Sequence, residues 1–114
     1  ERPGLQAVFT HFSPSAEGFA PRLGADWAGY LPWDLPEEMG PALEAASPGL
    51  VAFTKTEVWP VLVSEAARRR MPVALVAGTV PPGARRRRWP GRVLLRPTWA
   101  RLSLACACAE ADAE

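Results

Sequence analysis

Hydrophobic positions fall into short apolar runs, each followed by a turn-rich break and then a stretch with helical spacing. Leu5 to Thr10 and Trp27 to Leu31 read as β-strands; between them His11 to Ser15 is rich in turn formers and Ala16 to Leu23 is compatible with a helix. Leu35-Pro36-Glu37-Glu38 opens a helix with acidic residues in its first turn, where the helix dipole favours them, and Ser47-Pro48-Gly49 ends it. Leu50 to Thr54 is a third strand and Trp59 to Arg70 a helix. On that helix Val58, Leu62 and Ala66, with Val61, Val63 and Ala67 on the neighbouring row, can face a sheet, which leaves Arg68, Arg69 and Arg70 at the carboxyl end. Val73 to Ala77 is apolar throughout, as a strand buried on both faces should be. Beyond the Pro81-Pro82-Gly83 break, Arg85 to Trp89 is a short charged helix or loop. Val93 to Leu102 predicts a helix interrupted near Pro97, Ser103 to Cys108 a fifth strand, and Glu110 to Glu114 a helix start.

Alternation of β and α at such short spacings means parallel strands joined by right-handed crossovers. The expected fold is α/β: a three-layer Rossmann-like sandwich with about five mainly parallel strands, residues 1–114 forming one domain. A chain of 114 residues buries roughly 65% of its unfolded surface, enough for a modest core. With 48% apolar and 22% charged residues the chain is neither disordered nor fibrous. A net charge of +1 gives no global signal for nucleic acid, and none is expected as a partner. No run approaches the ~20 apolar residues that span a bilayer, and Glu1-Arg2-Pro3-Gly4 lacks the basic and hydrophobic parts of a signal peptide. Cys106 and Cys108 alternate on one strand face, too few for a metal site beside the single His11, and are expected to be small core or subsurface residues. No metal and no cofactor is expected.

Candidate chemistry gathers at Lys55-Thr56-Glu57-Val58-Trp59-Pro60, which closes one strand and opens a helix. Open sheets bind ligands at the carboxyl ends of their strands, where helix amino termini also point. Pro60 suits the first helical position because it has no N–H to leave unsatisfied. Glu57 then lies near that helix start, within reach of Lys55 or an arginine, either capping the helix or facing a crevice. Thr10, Ser13 and Ser15 form either an anion-binding turn or an ordinary helix start, and His11 reads as a partly exposed turn residue. Trp33 and Trp59 are packing anchors or sugar platforms. The runs Arg68 to Arg70 and Arg85, Arg86, Arg87 and Arg88 beside Trp89 are a solvated face or a basic surface for anionic lipid.

These residues also carry a resemblance. Val8-Phe9-Thr10 through Ser13-Pro14-Ser15, Tyr30-Leu31-Pro32-Trp33-Asp34-Leu35-Pro36, Thr56-Glu57-Val58-Trp59-Pro60 and Ala109-Glu110-Ala111-Asp112-Ala113 resemble, in order and spacing, the N-terminal domain of 3-deoxy-D-manno-octulosonic acid (Kdo) transferases. The resemblance covers nearly the whole chain. It implies the N-terminal, acceptor-side half of a GT-B glycosyltransferase that moves Kdo from CMP-Kdo onto a lipid A precursor in lipopolysaccharide biosynthesis, at the cytoplasmic face of the inner membrane. It further implies that Thr10, Ser13, Ser15, Lys55 and Glu57 lie on the acceptor side of the cleft. The family's catalytic base belongs to a segment upstream of the strand matched here, and CMP-Kdo is held by a C-terminal domain. No catalytic residue is therefore assigned within residues 1–114, and the isolated chain is expected to be an inactive fragment.

Four departures accompany the matches. Lys55 stands where the family has the first Glu of an acidic pair, replacing a negative charge by a positive one, Ala77-Gly78-Thr79-Val80 where it has an Asn-x-Arg-Leu segment, Ala16 where it has the Gly of the turn after Ser15, and Cys108 where it has Gln. They alter the strand ends, where ligands would be met. The alternative function is a diverged, non-catalytic paralogue that keeps the fold as a binding or scaffold module.

Overall fold

A computed structural model of the chain describes residues 4–55, 57–79 and 89–108. The chain divides into two compact units, Glu1–Trp33 and Asp34–Glu114. In the first, β1 (Val8–His11) pairs in parallel with β2 (Trp27–Tyr30), Val8 opposite Trp27 and His11 opposite Tyr30. Asp26 sets the start of this pairing: its Oδ2 accepts the Ala7 N–H at 2.7 Å, and its own N–H donates to Ala7 C=O at 2.9 Å. The helix expected over Ala16 to Leu23 is instead two 3-10 turns, Pro14–Ala16 and Ala20–Leu23. Gly18 weakens any helix there, and Pro21 cannot donate to a continuous i to i−4 ladder. Gly24, at φ 67°, takes the left-handed position that ends the second turn.

The second unit alternates as expected. It contains α1 (Pro36–Ala46), β3 (Val51–Thr54), α2 (Pro60–Arg68), β4 (Val73–Gly78), α3 (Gly91–Ala100) and β5 (Leu104–Ala107). Its sheet is parallel with order β3-β4-β5, so β4 is central and β3 lies at an edge of these three strands. The strands thus form parallel sheets of two and three. α2 packs on β4 and between α1 and α3. Met39 and Leu43 of α1, Leu62, Val63 and Ala66 of α2, Phe53 of β3 and Val73 to Leu75 of β4 form the core. Ala67, expected to face the sheet, is exposed, and Glu65 is buried in its place.

Two apolar segments depart from the pattern's forecast. β4 is buried from Val73 to Leu75, but Val76 and Ala77 are exposed, because the strand bulges between Leu75 and Gly78 and Ala77 turns left-handed at φ 52°. β5 is exposed at all four positions, and Cys106 and Cys108 are exposed free thiols rather than core residues. An apolar run is buried only if something covers it, and β5 is the edge of this sheet. α3 runs through Pro97 without interruption; the proline forfeits one backbone bond in a helix whose Thr98 is buried. Among the described residues no helix is long and apolar enough to cross a membrane.

Candidate functional site

The β3–α2 connection is built from its two ends. At the strand end, Lys55 N–H continues the ladder by donating to Val76 C=O at 3.1 Å, while Lys55 itself adopts φ 62°, an uncommon conformation for a residue with a side chain. At the helix end, Trp59 is extended, as a residue before proline must be, and makes no side-chain cap; Pro60 follows as the first helical residue. The cap comes from elsewhere. Asp34 Oδ2 accepts the N–H of Val61 at 2.9 Å and Oδ1 that of Leu62 at 2.8 Å. Val63 N–H then bonds Trp59 C=O at 3.0 Å, so every donor of the first turn is accounted for.

This geometry corrects two expectations. Glu57 does not cap α2; it is exposed, and among the described residues it has no hydrogen bond or ion pair, with Lys55 or with an arginine. Nor is the amino terminus of α2 open to an anion, since the Asp34 carboxylate already occupies it. A signal for Asp34 was present in the sequence: α2 opens on Trp-Pro, with no Ser, Thr, Asp or Asn to cap it locally.

The carboxyl ends of β3, β4 and β5 lie side by side. Thr54 pairs with Val76 and Gly78 with Ala107, and Cys108 N–H donates to Gly78 C=O at 3.0 Å. Lys55, Ala77 and Cys108 therefore share one rim of one sheet, while Ala16, the other position that departs from the expected pattern, belongs to the first unit. Gly78 is tight at this rim, for a Cβ there would stand 3.0 Å from Leu75 Cδ2.

At its carboxyl end, away from the rim, α2 is tied to α1 by an ion network. Glu65 accepts from Arg69 at 2.6 Å and from Arg68 at 2.8 Å, and Arg69 also reaches Glu44 of α1 at 2.7 Å. Hydrogen bonds from Arg69 and then Arg68 hold the Glu65 carboxyl below its ordinary pKa, and the bonds to Glu44 and Glu65 raise that of Arg69. Arg69 is thus committed to internal pairing, while Arg68 and Arg70 are exposed.

In the first unit, Thr10 is exposed on β1, and His11 is the last residue of that strand rather than a turn residue. The His11 ring packs on Tyr30 with centroids 4.5 Å apart, and its Nδ1 lies 3.1 Å from Ser13 C=O. Ser13 caps the Pro14–Ala16 turn by accepting the Ser15 N–H at 3.3 Å, and the two hydroxyls meet at 2.7 Å. The Ser-Pro-Ser stretch is thus built as a helix start. Tyr30 donates to Glu17 at 3.3 Å, and partial burial together with the Glu17 charge raises the phenol's pKa. Trp33 stands largely exposed, edge-on to Phe12 at 5.1 Å. Thr10, Ser13 and Ser15 belong to the first unit, Lys55 and Glu57 to the second. Arg85 to Arg88 and Thr56 lie outside the described residues. Among the described residues no group of three or more His, Cys, Asp or Glu side chains could hold a metal ion.

Parallel strands alternating with helical segments define an α/β domain, a class whose ligands are met at the carboxyl ends of the strands. Comparison with known families makes the class specific. The chain belongs to the 3-deoxy-D-manno-octulosonic-acid transferase (Kdo transferase) family, whose N-terminal domain matches it over residues 1–114. No solved structure matches the chain.

Proposed function

We propose that residues 1–114 are the acceptor-side, Rossmann-like domain of a GT-B glycosyltransferase that transfers Kdo from CMP-Kdo to a lipid A precursor in lipopolysaccharide biosynthesis. The observation that carries this is the family match across the entire chain. The parallel pairing within each of the two sheets supports it, since parallel strands joined by crossovers are what a Rossmann-like domain is built from. In this proposal Thr10, Ser13, Ser15, Lys55 and Glu57 contribute to the acceptor side of the cleft. Glu57, exposed and without a hydrogen bond or ion pair among the described residues, is available to orient a sugar hydroxyl or phosphate-bearing acceptor, with Lys55 of the same loop as a cation for the phosphate. Arg85 to Arg88 contact anionic lipid at the cytoplasmic face of the inner membrane. Transfer requires a carboxylate within hydrogen-bond reach of the acceptor and a donor held in line, and neither role is assigned to a residue of 1–114 in this proposal.

One observation favours a second reading. On one shared rim Lys55 reverses the charge, and Ala77 and Cys108 remove the polar groups, expected from the family resemblance, which suits a paralogue that keeps the fold as a binding or scaffold module without transfer. Incubating the full-length protein with CMP-Kdo and lipid A precursor decides between them. Release of CMP with formation of the Kdo-lipid product supports the transferase. Acceptor binding without product formation supports the module.

A further inference from the structure

The loop bearing Lys55 and Glu57 is fixed at two points. Lys55 N–H is held by Val76 C=O at 3.1 Å, and the helix start at Val61 and Leu62 is held by Asp34 at 2.9 and 2.8 Å. Between them Glu57 makes no hydrogen bond or ion pair among the described residues, so its placement follows from the loop ends. The second anchor comes from 27 and 28 positions away in the chain and is half-buried. Two converging N–H groups need two acceptor oxygens on one planar group, which a carboxylate has. An amide offers one oxygen and turns an NH2 donor toward the other N–H.

We propose that Asp34 is a positioning residue for acceptor recognition: it sets the direction in which the β3–α2 loop presents Lys55 and Glu57, without itself touching substrate. The inference rests on the acceptor-side role proposed above for that loop. It also accounts for an Asp in the Tyr30-to-Pro36 stretch and a capless Trp-Pro helix start occurring in one chain, since each needs the other.

The test uses the full-length enzyme with CMP-Kdo and lipid A precursor, at a temperature where circular dichroism shows every variant folded. Asp34→Ala, Asp34→Asn, Glu57→Ala and the double variant Asp34→Ala/Glu57→Ala are compared for kcat, acceptor KM and hydrogen exchange of the loop amides. Asp34→Ala is expected to raise acceptor KM about tenfold with kcat within about twofold, less than the ~100-fold that misplacing a reacting group by 1 Å can cost. Asp34→Asn is expected to give a smaller rise. In the Glu57→Ala background the effect of Asp34→Ala shrinks to under about twofold, because residues acting through one another are not additive. An unchanged KM in Asp34→Ala, with a raised KM in Glu57→Ala, overturns the positioning role and leaves the acceptor-side loop standing. KM rises that simply multiply in the double variant overturn it too. An unchanged KM in Glu57→Ala removes the acceptor-side role of that residue, and Asp34 then keeps its positioning role only if Asp34→Ala still raises acceptor KM with faster exchange at Glu57 and Val58, beyond the Val61 and Leu62 amides whose acceptor is removed; an unchanged KM in both variants, or exchange changed at Val61 and Leu62 alone, overturns it.

Discussion

Gly40 sits buried in the middle of α1, on the face that meets α2, and its backbone is helical. A Cβ at this position would stand 3.2 Å from Arg69 Nη2 and 3.5 Å from Glu65 Oε2, so Gly40 makes room for the network joining the two helices. Two effects oppose each other in Gly40→Ala. Ala is favoured over Gly in a helix interior by about 0.8–1.0 kcal/mol. Against this, the guanidinium must yield by a few tenths of an ångström. The closest atom is the far end of a long side chain, and its partner Glu44 is exposed and can follow it. Nη1 meanwhile keeps its bond to Glu65. Propensity wins, and Gly40→Ala stabilises the protein by up to about 1 kcal/mol. Gly40→Leu cannot be absorbed in this way and overpacks the helix contact, costing about 1–3 kcal/mol. In equilibrium urea denaturation with a slope near ~2 kcal/mol/M, Ala raises the midpoint by up to about 0.5 M and Leu lowers it by about 0.5–1.5 M. A fall for Ala as large as that for Leu would refute this reasoning, because it would show the ion network too rigid to give way.

Met39 is fully buried, so Met39→Ala is expected to destabilise the protein by about 2–5 kcal/mol in the same assay; a loss under about 1 kcal/mol would mean that the site collapses without a cavity. Glu65 has a folded-state pKa lowered by Arg69 and Arg68, so its contribution is fully present above its unfolded pKa and is lost as pH falls through the lower folded value. Melting measured from neutral pH down below about pH 4.3 should show a stability loss that Glu65→Gln removes, and identical profiles would exclude the linkage. The raised pKa of Arg69 lies above any working pH and adds nothing in that window. Both Cys106 and Cys108 are expected to react with a water-soluble thiol reagent in the native protein, and protection of either until denaturant is added would show β5 to be covered. Arg85→Gln through Arg88→Gln together should weaken binding to anionic vesicles by roughly 1 kcal/mol per residue, with salt abolishing the difference; unaltered binding would leave these arginines a solvated face.

The order and type of the main elements were legible because their causes are local. An apolar run followed by Pro and helical spacing is complete within about ten residues, which placed β3, α2 and β4 within a residue or two of their observed ends. The same locality misjudged Ala16 to Leu23, where a composition compatible with a helix was cut into 3-10 turns by Gly18 and Pro21. It also misjudged β5: hydrophobicity states a preference for burial, whereas cover depends on what packs alongside.

What the chain's pattern determined alone is therefore the alternation of strand and helix and the parallel sense that short crossovers impose. The tertiary structure alone decided which carboxylate caps α2, that Glu65 enters the helix interface with Arg69, and that Lys55, Ala77 and Cys108 share a rim. The reason is range. Periodicity and turn chemistry act over two to four residues, while Asp34 meets its partners 27 and 28 positions away and Arg69 meets Glu44 across 25. Such pairings exist only after packing has brought the segments together, and no local preference of either residue specifies the other.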